Sequence, residues 1–309
     1  MTVLAFDTSN YTTSVAAFDG AEAHNISRLL DVDPGLLGLR QSDALFSHVK
    51  RLPELTDRLF SDIGAVTIDA VGVSTRPRAV EGSYMPCFLA GHSQAKVLGA
   101  ALGVPVYEFS HQQGHIAASL WSSDHIELMD MPHLAWHLSG GTTELLLVTP
   151  EGVSVHAERI GGTTDISAGQ LIDRTGKLLG LPFPAGKQLD ALSREATDRS
   201  FFRVKVKGTE FSLSGVQNKV QAYHKDNPAE TAGYALRSLI GAIVAATKNA
   251  LKKHPDCSVV FAGGVASNTM LREACADLPA IFCPPQYATD NALGTAVLTW
   301  RAHHAAGSL

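Results

Sequence analysis

The chain has 309 residues, 45% of them hydrophobic and 18% charged, with a formal net charge of −5. That length exceeds one typical domain and fits two of about 150 residues, and the composition is that of a folded α/β protein, not a disordered chain. The acidic balance supplies no global basic field for nucleic acid, no apolar run approaches the length of a membrane span, and the chain opens on a strand pattern without a basic leader. A cytoplasmic protein with no membrane partner is expected.

Residues 1–18 predict a β-hairpin. Residues 42–63 predict an amphipathic helix with Leu45, Val49, Leu52, Leu55 and Leu59 near one face despite Pro53. A strand at 70–74 is followed by an Ala-rich helix at 87–102 that Gly103 stops. A short strand at 104–107 leads to Ser110, which caps a helix ending near Ser119 or Trp121. A turn cluster at 122–131 separates an N-terminal domain, 1–128, from a C-terminal domain, 129–309. The plan then repeats, with hairpin strands near 133–148 and 152–158 and helices near 167–180 and 186–196. Next come a strand-rich basic segment at 201–213, long Ala-rich helices near 229–252, a strand at 258–262 and, past Gly263-Gly264, a helix from Ser267. The last helix is expected from Asp290 to about Ala305, packing back toward the N-terminal domain. Cys87, Cys257, Cys275 and Cys283 form no Cys-x-x-Cys pair, so they read as small buried hydrophobes.

The repeat is visible residue by residue. Leu4-Ala5-Phe6-Asp7-Thr8-Ser9-Asn10-Tyr11-Thr12-Thr13 aligns without gaps on Leu134-Ala135-Trp136-His137-Leu138-Ser139-Gly140-Gly141-Thr142-Thr143, 130 residues further on, with five identities in ten positions. Each copy reads as a buried strand, a small polar turn and a returning strand. Successive backbone N–H groups in such a turn form a nest for phosphate oxygens, and two turns facing each other would grip one nucleotide. Chance likeness between two hairpins is the plain alternative, and the symmetric placement weighs against it.

Other residues carry chemistry with less specificity. His111 and His115 stack on one helix face a turn apart, a spacing that fits one metal ion. Gln112 and Gln113 stand where a zinc protease needs a glutamate base, which disfavours that reaction. The pair also reads as two imidazoles on a polar face. Ser139 through Thr143 is the most phosphate-like stretch, because paired glycines let the backbone approach an anion. Asp165, Asp173 and Asp190 sit where carboxylates can hold ribose hydroxyls or hydrated Mg2+, or serve as caps and surface charges. Gly263 through Asn268 is a strand-to-helix turn suited to a purine face. Arg203, Lys205 and Lys207 alternate with Val204 and Val206, which on a strand puts three cations on one face. That face suits phosphate contacts or, alternatively, lysines guarding a solvated edge strand.

Taken in order, these segments resemble the TsaD family of tRNA N6-adenosine threonylcarbamoyltransferases, once grouped as glycoproteases. The resemblance runs through Asp7-Thr8-Ser9, Ser110 to His115, Ser139 to Thr143, Asp165 to Asp173, Gly180 to Gly186, Phe211 to Gly215, Gly263 to Asn268 and Thr289 to Ala292. It implies an α/β fold of two ribonuclease-H-like domains with an interdomain cleft, as in actin, sugar kinases and heat-shock chaperone ATPases. It also implies that His111, His115 and Asp290 ligate one divalent metal ion, iron or zinc, and that Mg2+ accompanies a nucleotide. Asp290 alone would read as a charge at a helix start. His137, Leu138, Ser139, Gly140 and Gly141 would line the phosphate and metal side of the substrate, and Asp173, Gly186, Asp190 and Asn268 its adenosine half. The implied reaction moves a threonylcarbamoyl group from its adenylate to N6 of the tRNA adenosine beside the anticodon. The implied partners are ATP, AMP or threonylcarbamoyl-adenylate, tRNA, a duplicate-fold protein and a small ATPase.

The departures are local. Tyr11-Thr12 stands where the family's first turn usually carries an acidic pair, and Thr75-Arg76-Pro77-Arg78-Ala79-Val80 replaces a glycine-rich turn with two guanidinium groups. The segment between the two histidines lacks the usual acid. These changes point to a divergent paralogue. Its alternatives to tRNA modification are a non-catalytic nucleotide-binding scaffold or regulator, and a carbamoyl-type transferase with a small-molecule acceptor.

Overall fold

β1 (Thr2–Thr8) and β2 (Thr12–Phe18) are buried almost throughout, as befits strands covered on both faces. They pair as an antiparallel hairpin, and β3 (Ala23–Leu29) adds an outer antiparallel strand. The computed structural model describes residues 1–9, 11–31, 39–287 and 291–307. These fall into two units, the first built from Met1–Met131, Thr149–Ala157 and the C-terminal segment, and the second from Pro132–Val148 and the residues from Glu158 onward to that segment.

In the first unit α1 (Gln41–Ile63) leads to β4 (Ile68–Arg76), α2 (Leu89–Leu102), β5 (Val106–Ser110) and α3 (His111–Ser122). The sheet order is β3-β2-β1-β4-β5, with β1, β4 and β5 parallel. The helix expected at 42–63 is present, but its buried face holds His48 where Val49 was expected; Val49 is exposed. Counting back from Leu59, Leu55 and Leu52 by helical turns reaches position 48, so register overrides apolarity. The His48 ring is hydrogen-bonded through Nδ1 to Thr13 Oγ1 (2.8 Å), and burial pushes its pKa down to about 4. Gly103 ends α2 in the left-handed conformation, φ +68°.

The second unit runs through β6 (His133–Leu138), β7 (Thr143–Glu151), β8 (Ser154–Thr163), α4 (Ala168–Leu178), α5 (Gly186–Ser193) and β9 (Glu210–Phe211). It continues with α6 (Ser214–Tyr223), α7 (Pro228–Leu251), β10 (Val259–Ala262), α8 (Thr269–Ala274) and β11 (Ala280–Phe282). Its sheet order, β11-β10-β6-β7-β8-β9, reverses to the same plan as the first. The hairpin registers coincide as well. Leu4, Phe6 and Thr8 face Ala17, Val15 and Thr13, while Leu134, Trp136 and Leu138 face Leu147, Leu145 and Thr143, each pair displaced by the 130 residues of the sequence repeat.

Two expectations need correction here. The basic segment at 201–213 is not strand-rich: residues 201–206 join no ladder, and only a bridge at Lys207 and the two-residue β9 pair. Past Gly263 the chain first makes a 3-10 turn, Gly264–Ser267, and α8 starts at Thr269 because the Asn268 side chain caps it. The last helix, α9 (Leu293–Gly307), belongs to the first unit and lies on β1, β4 and α3. Glycine lets it come close. A Cβ at Gly294 would stand 1.7 Å from the Gly114 carbonyl oxygen, and one at Gly72 1.8 Å from Thr299 Oγ1. All four cysteines are buried.

Candidate functional site

In the first unit the polar side chains collect where the parallel strands end, the usual place for a ligand in an α/β sheet. Asp7 closes β1 and is 1% exposed. A carboxylate buried to that degree needs hydrogen-bond partners. The Ser9 N–H donates to its Oδ1 (3.0 Å), the Ser74 hydroxyl of β4 donates to Oδ2, and His111 Nδ1 lies 2.8 Å from the same oxygen. His111 is the first residue of α3, whose start is fixed by a reciprocal capping box between Ser110 and Gln113. His115 follows one turn later, and its Nε2 faces the Nε2 of His111 at 2.9 Å.

The tautomer follows from these contacts. With Nδ1 turned to a carboxylate, the His111 proton sits on Nδ1 and its Nε2 presents a lone pair. A carboxylate behind one imidazole and a second imidazole converging on the same point is the support that metal-ligating histidines receive. This donor set fits a divalent ion, and two imidazoles alone accept several. Among the described residues no group of three ligating side chains gathers. Asp290, the expected third ligand, lies outside the described residues. Asp7 and Ser74 received no role from sequence reasoning. The available signal was an acid at the end of a fully apolar strand, where burial demands partners.

Beside this cluster, Arg76 ends β4 in register with Ser110 and lines a recess of about 380 Å3 formed with the 79–83 turn. Arg78 is exposed, its backbone N–H donating to Ser83 Oγ (3.0 Å). Tyr11 is 38% exposed and Thr12 is buried in β2, so neither position carries a carboxylate.

In the second unit the matching strand end is the turn from Ser139 to Thr143. The Ser139 N–H donates to the Thr142 carbonyl (2.9 Å), and Ser139 Oγ accepts from the Thr142 N–H (3.0 Å). Thr143 Oγ1 accepts from the Ala168 N–H (2.7 Å) and Ser167 Oγ donates to the Gly140 carbonyl (2.5 Å), so α4 starts against the turn. Gly169 is required there, since its Cβ would meet Gly140 Cα at 2.4 Å. Gly140 and Gly141 differ: both are exposed and a Cβ on either meets nothing within 4 Å. Leu138 is buried, and His137 is half-buried opposite Glu144 on β7.

The adenosine candidates each hold a place in the fold of this unit. Asp173 accepts the Ala185 N–H (2.9 Å), fixing the turn before Gly186, the first residue of α5, where a Cβ would meet nothing. Asp190 accepts from Asn268 Nδ2 (2.9 Å) and from the Thr269 N–H and hydroxyl, both 3.1 Å. Asn268 caps α8 through its Oδ1. Gly263, φ +93°, passes so close to Leu138 that a Cβ would sit 2.2 Å from its carbonyl oxygen.

Asp165 is a latch between chain segments. Burial opposes its ionisation, but the Ser212 and Ser214 hydroxyls and the Leu213 and Ser214 N–H groups outweigh that and hold it well below the ordinary value of 3.8. A depressed carboxylate stabilises above its unfolded-state pKa and loses that contribution as pH falls through 3.8 toward the folded-state value. Asp165→Ala is expected to lower stability by about 1–2 kcal/mol near neutrality. Urea titration against wild type should show that difference shrinking in acid; a difference independent of pH would contradict the latch.

Two α/β units of one topology, each with its polar residues at the carboxyl ends of its parallel strands, define the duplicated fold of the actin and sugar-kinase class. HypF from T. kodakarensis is similar in fold, with a TM-score of 0.63 and 14% identity over 98% of this chain and 48% of that one. So is a ROK hexokinase from Thermus thermophilus, at 0.56 and 15% over 99% of this chain and 100% of that one. The family model for TsaD, tRNA N6-adenosine threonylcarbamoyltransferase, matches residues 38–297. The tRNA N6-adenosine threonylcarbamoyltransferase of Carboxydothermus hydrogenoformans is 32% identical over 306 residues, covering 94% of this chain and 89% of that one. The chain belongs to the TsaD family. Among the described residues no helix is long and apolar enough to cross a membrane.

Proposed function

We propose that the protein transfers a threonylcarbamoyl group from its adenylate to N6 of a tRNA adenosine beside the anticodon, with one divalent metal ion held by His111, His115 and Asp290. The observation that carries this reading, beside family membership, is the chain Asp7–His111–His115: a buried carboxylate fixes one imidazole so that its lone pair meets the second ring 2.9 Å away. When bound, an iron or zinc ion there supplies positive charge that polarises a carbamoyl or phosphate oxygen. Asp7 keeps the proton on His111 Nδ1, and Ser74 and Ser9 keep Asp7 in place.

The turn Ser139-Gly140-Gly141, with His137 and Leu138, takes the phosphate side of the adenylate, and Asp173, Gly186, Asp190 and Asn268 flank its adenosine. The fold itself does not demand glycine at 140 or 141, since a side chain would point into open space; bare backbone there suits an anion. In the reaction the N6 amine attacks the carbamoyl carbon, the bond from that carbon to the phosphate oxygen breaks, AMP leaves with the electron pair, and N6 gives one proton to water. The amine is a weak nucleophile, so positioning supplies most of the rate.

The test combines purified protein, metal, threonylcarbamoyl-adenylate and unmodified tRNA, with and without a duplicate-fold partner and a small ATPase, and reads the modified nucleoside by mass spectrometry. Product is expected. Its absence in every arm would move the assignment to a non-catalytic nucleotide-binding paralogue or to a carbamoyl-type transferase with a small-molecule acceptor, the lack of a carboxylate at Tyr11-Thr12 being compatible with either.

A further inference from the structure

We propose that the extended segment 201–207 is a built surface for the phosphate backbone of RNA, carried on the second unit. It rests on the transferase reading only for the identity of that RNA as tRNA. Along this segment exposure alternates residue by residue: Phe201, Arg203, Lys205 and Lys207 are exposed, while Phe202, Val204 and Val206 pack on the core of the unit. Three cations therefore stand on one side at intervals of about 6–7 Å, two extended residues apart.

The competing explanation, lysines that protect a sheet edge from pairing, does not fit Arg203 and Lys205, because 201–206 are not part of any sheet, and Lys207 makes only an isolated bridge to Glu210. Instead the segment is strapped along α7. The Phe202 N–H donates to Ser238 Oγ (2.8 Å), and Asn249 Nδ2 donates to the Gly208 carbonyl (2.8 Å). The straps lie eleven residues apart on the helix, about 16 Å, close to the reach of the extended strip between them. An extended backbone fixed at both ends presents its side chains with little ordering left to do on binding.

The cations are also uncommitted. Among the described residues Arg203, Lys205 and Lys207 form no ion pair, and the nearby Glu210 is engaged by Arg159 at 3.2 Å. Lys219 adds a further cation, its Nζ 5.8 Å from the Phe202 ring centroid, and Phe201 offers an exposed aromatic face at 51%. Unpaired cations beside an exposed aromatic are the means by which proteins hold a nucleic-acid backbone and stack a base. A chain of net charge −5 that concentrates cations here has a local partner for them, not a global one.

The experiment measures tRNA affinity of the full-length, metal-loaded protein by fluorescence anisotropy across a salt series. The triple variant R203Q/K205Q/K207Q is expected to bind at least about tenfold more weakly and to lower the salt slope by about 2–3. The charge-keeping R203K/K205R/K207R should retain affinity, and K252Q/K253Q should change nothing. Unaltered metal content and melting temperature exclude a folding defect in the triple variant. Wild-type affinity and slope in the triple variant, or a wild-type protein that binds anionic vesicles but no tRNA, would overturn the proposal. If tRNA binds through these residues and no modified nucleoside forms, the surface stands and the transferase reading falls.

Discussion

His111→Ala is expected to abolish metal binding and to reduce transfer by on the order of a thousandfold, since the charge stabilisation removed is several kcal/mol. His111 is the only one of the two imidazoles whose far nitrogen is anchored to Asp7, at 2.8 Å. Without it His115 loses the His111 ring that its Nε2 meets at 2.9 Å, and one imidazole is a weaker ligand set than two. The fold should survive, because the start of α3 is secured by Ser110 and Gln113, and Gln113 Nε2 also donates to the Val155 carbonyl (2.9 Å). Asp7 keeps the Ser9 and Ser74 donors and loses the His111 contact, which costs about 1–3 kcal/mol. Elemental analysis decides the matter: a variant that keeps wild-type metal stoichiometry would show that these rings are not ligands.

Gly294→Ala is expected to be among the most damaging single methyls in the described residues, with a loss on the order of 3 kcal/mol or more. The added carbon would lie 1.7 Å from the Gly114 oxygen, 2.6 Å from its carbon and 2.7 Å from the Ala118 nitrogen, all backbone atoms that cannot rotate aside. α9 must therefore move away from α3, and the turn that holds His111 and His115 moves with it. Weaker metal binding should accompany the lower urea midpoint. Gly241→Ala is the matched control: it lies exposed inside α7, where a Cβ meets nothing, and should gain up to about 1 kcal/mol. Equal midpoints for the two variants would refute the close crossing.

Much of this architecture was legible because the repeat is written in strands. Each copy places like residues at like distances from its turn, so a 130-residue offset in sequence became the same offset in pairing. The cap at Ser110 and the stop at Gly103 were legible for a local reason, each depending on one side chain or its absence. His48 was not, because a polar residue on a buried helix face is excused by a partner distant in sequence, here Thr13 of β2. The strip at 201–207 shows the opposite limit. Its alternation is real, yet period two marks an extended backbone with one covered side and says nothing about ladder partners, which here are helix side chains. Asp7 and Ser74 were invisible as a pair, being 67 residues apart and joined only by the parallel pairing of β1 with β4.

The order of the chain has a consequence for how the protein is made. The first unit needs α9, which follows the whole second unit in chain order, to cover β1 and β4 and to meet Gly114. A nascent chain that has finished its first 131 residues still exposes the apolar surface that α9 will occupy, and must keep it from aggregating while the whole second unit is synthesised. The helix face that carries His111 and His115 thus gains its close packing against Gly294 only once α9 has been made, and a chain cut before Leu293 is expected to leave β1 and β4 uncovered.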